Sequence, residues 1–304
     1  MKDNVLQYRR TAKDRLIQCV AAEGTVRIAF IEGTRLVRET RRIHNLSRVA
    51  TAALGRQLMM TAIMAADLKG ENDLVSTILR GDGPAGSMIC TGNSCLEVKG
   101  SVANGALELP PGDSGKLDVG GFVGHTGKLS VVSDLGLKEP YVGYSNLVSG
   151  EIAIDFANYY AASLQRPVLV YLGVRERADT GEVRAAAGVF AEPLPGCKDE
   201  TIDLLQTMSE QIARFSERLD AGETPEELLQ SVFGGLGLTI VGEREPVYRC
   251  DCSRARIERA LISTGYDEMN AMIEEDHGAE VSCRFCDKVY TFTEEELRSL
   301  LIAA

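Results

Sequence analysis

The sequence has no tryptophan, only three histidines, no surplus of basic residues and no long apolar run. Each shortage closes a class of function. His44, His125 and His277 are scattered, so neither an H-E-x-x-H metal motif nor a Ser/His/Asp order can be built from them. No paired-carboxylate motif stands in their place, and no catalytic centre is legible. Lysine and arginine number 33 against 44 acidic residues, a formal net charge of -11, which argues against nucleic acid as a partner. No stretch reaches the ~18 apolar residues of a membrane span. No apolar segment follows the charged residues Arg9, Arg10 and Lys13 as it would in a secretory signal. The expectation is a cytoplasmic protein without a membrane partner. Aromatics are lean at 6%, but 44% hydrophobic and 25% charged is the balance of a globular chain, and 304 residues suit about two domains.

The first 195 residues alternate between two periods. Thr25 to Ile31 is β-branched and alternating, a strand. Ser47 is placed to cap a long helix rich in Ala, Met and Leu that runs to Leu68. Leu74 to Leu79 and Ser87 to Cys90 read as strands around a glycine turn, and Leu96 to Gly150 as hairpins. Gly150 to Leu164 is helical, and Val168–Val174 and Val183–Phe190 are strands joined at Asp179-Thr180-Gly181. Gly81-Asp82-Gly83-Pro84-Ala85-Gly86 fits G-x-G-x-x-G, but no helix follows and Pro84 interrupts it, so it reads as a turn rather than a nucleotide site. Gly124-His125-Thr126-Gly127-Lys128-Leu129 fails as a phosphate loop because Leu129 stands where a hydroxyl should bind magnesium. Cys19 and Cys197 read as packing thiols, and Cys90 and Cys95 as a hairpin's buried or free thiols.

Pro193-Leu194-Pro195-Gly196 marks a boundary. The next segment predicts a helix from Thr201 to Leu219 whose apolar residues Leu204, Met208, Ile212, Phe215 and Leu219 form one stripe. Thr224-Pro225-Glu226-Glu227 is a capping box opening a second helix that ends at Gly234-Gly235, and Leu238 to Val241 is a short strand. The plain reading is a helical hairpin packed on the first domain. The functional one is a segment that detaches and exposes its stripe.

Four of the eight cysteines lie in the last 55 residues, as Cys250-Asp251-Cys252 and Cys283-Arg284-Phe285-Cys286. Two close pairs joined by a longer loop are the pattern of a tetrahedral zinc site, because each pair supplies two adjacent ligands. Twelve acidic and six basic residues between Cys250 and Ala304 leave no basic patch for a nucleic-acid-binding zinc ribbon. Ser253 is placed to cap a helix ending at Gly265, and Asp267 one ending near His277, where imidazolium suits the helix dipole. A hairpin then flanks the C-x-x-C, and Thr293 with Glu296 opens a last helix. A core this small rarely supplies more than ~3–5 kcal/mol. Structural zinc contributes roughly 10–16 kcal/mol of apparent free energy. The module should therefore be folded with zinc and unfolded without it. Neighbouring thiolates at tetrahedral Zn–S distances sit ~3.7 Å apart, close to disulfide formation yet incompatible with it while the metal stays. Four cysteines allow three pairings, and each pair closing on itself has the shortest loops. Arg254, Arg256 and Arg284 either stabilise thiolate or are simply exposed.

These residues resemble the redox-regulated heat shock protein 33 family. The resemblance lies in Cys250-Asp-Cys-Ser-Arg, Val281-Ser-Cys-Arg-Phe-Cys with Tyr290 and Phe292, Gly81-Asp-Gly-Pro, Tyr144-Ser-Asn-Leu-Val-Ser-Gly-Glu, Pro167 to Val174 and Phe233-Gly-Gly-Leu, nearly the whole chain. It implies an α+β fold: a mixed α/β N-terminal domain (1–195), a helical linker (196–249) and a small C-terminal zinc-binding domain (250–304). It implies an ATP-independent holdase, not an enzyme. In the reduced, inactive form one Zn2+ per chain would sit on Cys250, Cys252, Cys283 and Cys286. Oxidation would form the disulfides Cys250–Cys252 and Cys283–Cys286, release the zinc and unfold module and linker. The protein would then dimerise, bind unfolded or oxidatively damaged clients and pass them to an ATP-dependent foldase. Leu204, Met208, Ile212 and Phe215 are the candidate client-binding residues. The alternatives are a thiol–disulfide oxidoreductase using the C-x-x-C, or a zinc-stapled interaction protein with no redox response.

Overall fold

The computed structural model describes residues 13–112 and 115–303. The chain divides into two compact units, with the boundary between Tyr248 and Arg249.

In the first unit, β1 (Arg15–Ala21) and β2 (Val26–Glu32) lead into helices α1 (Thr34–His44) and α2 (Arg48–Ala65). Strands β3 (Leu74–Gly81), β4 (Ser87–Asn93) and β5 (Glu97–Val102) follow, then α3 (Val119–Val123), β6 (Gly127–Asp134), β7 (Tyr141–Asn146), α4 (Ile152–Ala162), β8 (Leu169–Glu176) and β9 (Val183–Pro193). Helices α5 (Asp199–Thr207), α6 (Ser209–Ile212), α7 (Phe215–Ala221) and α8 (Pro225–Phe233) precede β10 (Thr239–Arg244) and β11 (Val247–Tyr248). The strands form a five-stranded sheet, β10-β1-β2-β9-β8, and a six-stranded sheet, β11-β5-β4-β3-β6-β7.

Helix α2 lies between the two sheets, packing on β3, β4 and β5 of one and β8 and β9 of the other. Its composition dictates this. Ser47 caps it by accepting from the Ala50 N–H, and only Arg48, Arg56 and Met64 of its 18 residues escape full burial. A helix apolar all round must be covered all round. The alternation of β1 and β2 then splits the five-stranded sheet between two cores. Leu16, Ala29 and Ile31 face α2, while Ile17, Cys19, Ile28 and Phe30 face the opposite layer of helices.

The predicted glycine turns are borne out. Gly124 adopts φ +96°, and a Cβ on Gly83 would sit 2.5 Å from the Gly124 nitrogen, so the Gly81–Gly83 and Gly124–Gly127 loops mesh backbone to backbone. The Asp82 carboxylate accepts from the Thr126 N–H at 3.0 Å, and Gly127-Lys128-Leu129 is strand rather than helix, so no phosphate cradle forms there. Cys19 and Cys90 are buried thiols and Cys95 is exposed.

The second helical segment departs from expectation. The single helix from Thr201 to Leu219 is three short helices, α5, α6 and α7, with interruptions at Met208 and at Ala213-Arg214. The stripe also differs by one residue: Leu205 is buried and Leu204 is 42% exposed, so it runs 205, 208, 212, 215, 219. That 3-4-3-4 spacing tracks the helical period better than one starting from Leu204. Residues 196–248 are part of the first unit, and β10 pairs along β1, with Leu16 opposite Arg244 and Val20 opposite Thr239.

In the second unit, α9 (Arg254–Thr264), α10 (Tyr266–Glu274), the hairpin β12 (Gly278–Ser282) and β13 (Val289–Thr293), and α11 (Glu294–Ala303) enclose a core of Leu261, Ile273, Cys283, Tyr290, Phe292 and Leu297. Ser253 caps α9 as expected, and Thr293 and Glu296 form the expected reciprocal cap on α11. Asp267 does not cap α10. Gly265 holds that position at φ +101°, and Asp267 and Glu268 lie in the first turn, where their charge suits the helix dipole. His277 lies beyond the end of α10 at φ +54°, with Nδ1 3.4 Å from the Glu294 carboxylate.

Candidate metal centre

Two local structures bring the four thiols together. Cys250 and Cys252 lie in the extended stretch ahead of α9, and Cys283 and Cys286 occupy the turn between β12 and β13. That turn is fixed by backbone bonds: Cys283 N–H donates to Lys288 O at 2.9 Å, and Cys286 and Asp287 N–H donate to Cys283 O at 3.2 and 2.8 Å. Asp287 takes φ +57° to complete it. The four Sγ atoms lie within 4.8 Å of one another, with Cys250 and Cys283 3.6 Å apart and Cys252 and Cys286 3.4 Å apart. Tetrahedral thiolate ligation asks for sulfurs ~3.7 Å apart, so this donor set could hold one metal ion, and all-sulfur ligation suits zinc. The shortest contacts cross between the two motifs, so proximity alone does not favour pairing within each.

Burial pushes the Cys250 and Cys286 thiols up from their ordinary range. Burial also works against charge on Cys252, but the Tyr290 hydroxyl, which donates to its Sγ at 3.1 Å, and the three neighbouring thiols hold that thiol below its ordinary value. The same bond to Cys252, with a smaller contribution from burial, pushes Tyr290 itself up to about 12. Tyr290 was visible in sequence only as an apolar position behind the C-x-x-C. The alternation of β13, with Tyr290 and Phe292 buried and their neighbours exposed, is what turns its ring toward the thiols. Two of the three arginines serve carboxylates. Arg254 pairs with Glu296 at 2.7 Å and lies 4.2 Å over the Phe292 ring, Arg256 pairs with Asp251, and Arg284 is exposed.

The C-x-x-C lies in a hairpin turn, not at the helix N-terminus that lowers a thiol's pKa in disulfide oxidoreductases. Among the described residues no helix is long and apolar enough to cross a membrane. Of the client-binding candidates, Met208, Ile212 and Phe215 are buried against the five-stranded sheet, where the Phe215 and Phe30 ring centroids are 6.0 Å apart; Leu204 is exposed.

Fold and site together define a two-unit α+β protein with a cluster of four thiols in its smaller unit that could hold a metal ion. A family model described as Hsp33 protein matches residues 14–293. The 33 kDa chaperonin of Acetivibrio thermocellus is 41% identical over 95% of this chain and 97% of its own length, and that of Oceanobacillus iheyensis 42% identical over 95% and 99%. The crystal structure of the 33 kDa chaperonin (heat shock protein 33 homolog) from Thermotoga maritima superposes with a TM-score of 0.84 at 32% identity, covering 96% of this chain and 99% of that one. The chain belongs to the Hsp33 family, and that membership supports a chaperone; its relatives are named as chaperonins rather than enzymes.

Proposed function

We propose that this protein is a redox-regulated, ATP-independent holdase of the cytoplasm. The observation that carries the reading is the four-thiol cluster inside a unit with seven buried hydrophobic side chains among its described residues, one of them the clustered Cys283. In the reduced state Cys250, Cys252, Cys283 and Cys286 would hold one Zn2+. When bound, the zinc would cross-link the residues before α9 to the β12–β13 turn and supply most of that unit's stability.

Oxidation converts Cys250 with Cys252, and Cys283 with Cys286, into disulfides. Each zinc-bound thiolate pair loses two electrons, and each peroxide molecule that accepts them takes two protons from the solvent and becomes two waters. The four donors are consumed, the cross-link is lost and residues 249–304 unfold. Chain continuity carries the change onward, because β11 ends at Tyr248, two residues before Cys250. The Tyr248 hydroxyl, which donates to Gly100 O at 3.0 Å, anchors that end of the first unit. Fraying through β11 and β10 would free the helical layer, so that residues 196–249 act as a detachable linker between domains 1–195 and 250–304. Met208, Ile212 and Phe215, with Leu204 beside them, would then meet unfolded or oxidatively damaged clients, methionine giving adaptable contact. The activated protein would dimerise and hand clients to an ATP-dependent foldase.

The test treats reduced, zinc-loaded protein with peroxide at raised temperature and follows zinc release, disulfide mapping and suppression of client aggregation together. About one zinc leaving as suppression appears, reversed by thiol reductant plus zinc, supports the proposal. Zinc release without suppression, or disulfides crossing between the two motifs, contradicts it.

A further inference from the structure

We propose that the free edge of β7 is a docking site for an extended, uncharged segment of an unfolded polypeptide, bound by strand addition. The proposal rests on the holdase reading and names a surface for it outside the helical layer.

The register decides which backbone groups are open. Leu147 N–H donates to Gly127 O at 3.0 Å, and β6 and β7 run antiparallel with Ser145 opposite Leu129, Gly143 opposite Val131 and Tyr141 opposite Ser133. Hydrogen-bonded residues alternate along such a ladder, so Tyr141, Gly143 and Ser145 turn their amides to β6, and Val142, Tyr144 and Asn146 turn theirs outward. Strand β7 ends its sheet, and among the described residues none of these three N–H groups has a backbone partner. The Asn146 carbonyl alone is taken, by the Asn158 amide at 3.0 Å.

The side chains beside this edge are apolar and largely exposed, with the Lys128 ammonium 5.3 Å from the Tyr144 ring centroid. Tyr141, Val142 and Tyr144 are 56%, 53% and 62% exposed, flanked by exposed Leu137 and Val148. Folded proteins blunt such edges with charge, proline or brevity. The other long edges conform: β10 ends in Glu243-Arg244 and β8 in Arg175-Glu176, while β11 has two residues. Strand β7, Tyr-Val-Gly-Tyr-Ser-Asn, carries no charge and no proline within its six residues; Lys138-Glu139-Pro140 lies just before it and guards only its first end.

The edge is also preformed. A Cβ at Gly143 would meet the Tyr159 hydroxyl at 2.6 Å, so β7 lies flat on α4. The buried Asp155 carboxylate accepts from Val148 and Ser149 N–H at 2.7 and 3.1 Å, fixing the strand's exit. A rigid template lowers the ordering cost of binding. Six residues offer an edge of ~20 Å. Pairing along that length buries well under the ~1,200 Å² of a stable protein–protein interface. It therefore suits a transient peptide better than a second folded copy, and an unfolded chain brings the open amides and alternating side chains that such an edge pairs with.

The experiment measures the affinity of a fluorescein-labelled peptide of alternating valine and threonine for the full chain, reduced and oxidised, by fluorescence anisotropy. Tyr144→Pro removes one outward N–H without touching the β6 ladder, and Val142→Lys adds an edge charge with the backbone intact. Both should leave the circular dichroism spectrum unchanged and weaken the peptide about tenfold in either redox state. Absence of wild-type binding, or equal affinity in Val142→Lys, overturns the proposal. Sedimentation in which wild type dimerises and both variants do not, with peptide affinity unchanged, assigns the edge to a second copy and overturns it too. Aggregation suppression by the oxidised samples separates the two claims. If it is absent in wild type, the holdase reading fails; if it is present while the variants bind peptide normally, only the edge proposal fails.

Discussion

Phe215→Ala is the sharpest single perturbation of the helical layer. Phe215 is fully buried between α7 and the five-stranded sheet, its ring 6.0 Å from that of Phe30. Phe-to-Ala in such a site costs about 3–5 kcal/mol, the lost transfer energy plus a cavity that only partly collapses. Besides its apolar neighbours, the layer is held by the Tyr171 hydroxyl with Ser216 Oγ at 2.7 Å and by Arg184 with Asp220 at 2.7 Å. These polar contacts cannot refill the cavity. If the layer opens separately from the sheets, the whole cost falls on that opening, and the open population rises by about two to four orders of magnitude. Reduced Phe215→Ala should then bind an apolar dye and suppress aggregation of a heat-unfolded client without any oxidant, with the far-ultraviolet signature of the sheets retained. A variant that loses thermal stability yet stays as silent as reduced wild type would refute the idea that this layer gates client binding.

Two other consequences follow from named groups. Asp14 is buried and accepts the Arg35 and Leu36 N–H groups at 2.9 and 2.6 Å, and burial raises its pKa to about 7. The folded state thus keeps a proton that the unfolded chain has lost between about pH 4 and 7, so this group's stabilisation is full below that window and is lost as pH rises through it. The denaturation free energy of wild type relative to Asp14→Asn should fall by up to about 1.4 kcal/mol per pH unit across the window; a pH-independent difference would contradict the shift. For metal removal, chelation from reduced protein should collapse the methyl resonances of Leu261, Ile273 and Leu297 to random-coil positions, leave those of α2 unchanged, and be reversed by zinc. Retained dispersion would show that the apolar core suffices without metal.

Much of the scaffold could be read in advance where the signal is local. The Ser47 and Thr224 caps, the Asp179-Thr180-Gly181 hairpin and the meshing glycine loops each depend on a few neighbouring residues, and each formed as read. The thiol cluster was legible for a related reason: four cysteines in close pairs admit few arrangements that satisfy them. Non-local choices were not legible. Leu204 and Leu205 are both apolar, and only a one-residue difference in spacing separates the leucine that faces the sheet from the one that faces solvent. The pairing of β10 with β1 joins residues more than two hundred positions apart, and the Tyr290 bond to Cys252 depends on where a hairpin and a loop meet. The open edge of β7 appears only once the strand order leaves it last in its sheet.

The central claim is that oxidation of four thiols in one unit opens a helical layer in the other. Hydrogen exchange on the full chain, before and after stoichiometric oxidation, addresses it most directly. The account predicts that amides in 199–233 and 254–303 lose protection together while those of β2, β9 and α2 keep theirs, and that reductant with zinc restores both. Oxidised protein that suppresses client aggregation while 199–233 stays as protected as in the reduced state would contradict it.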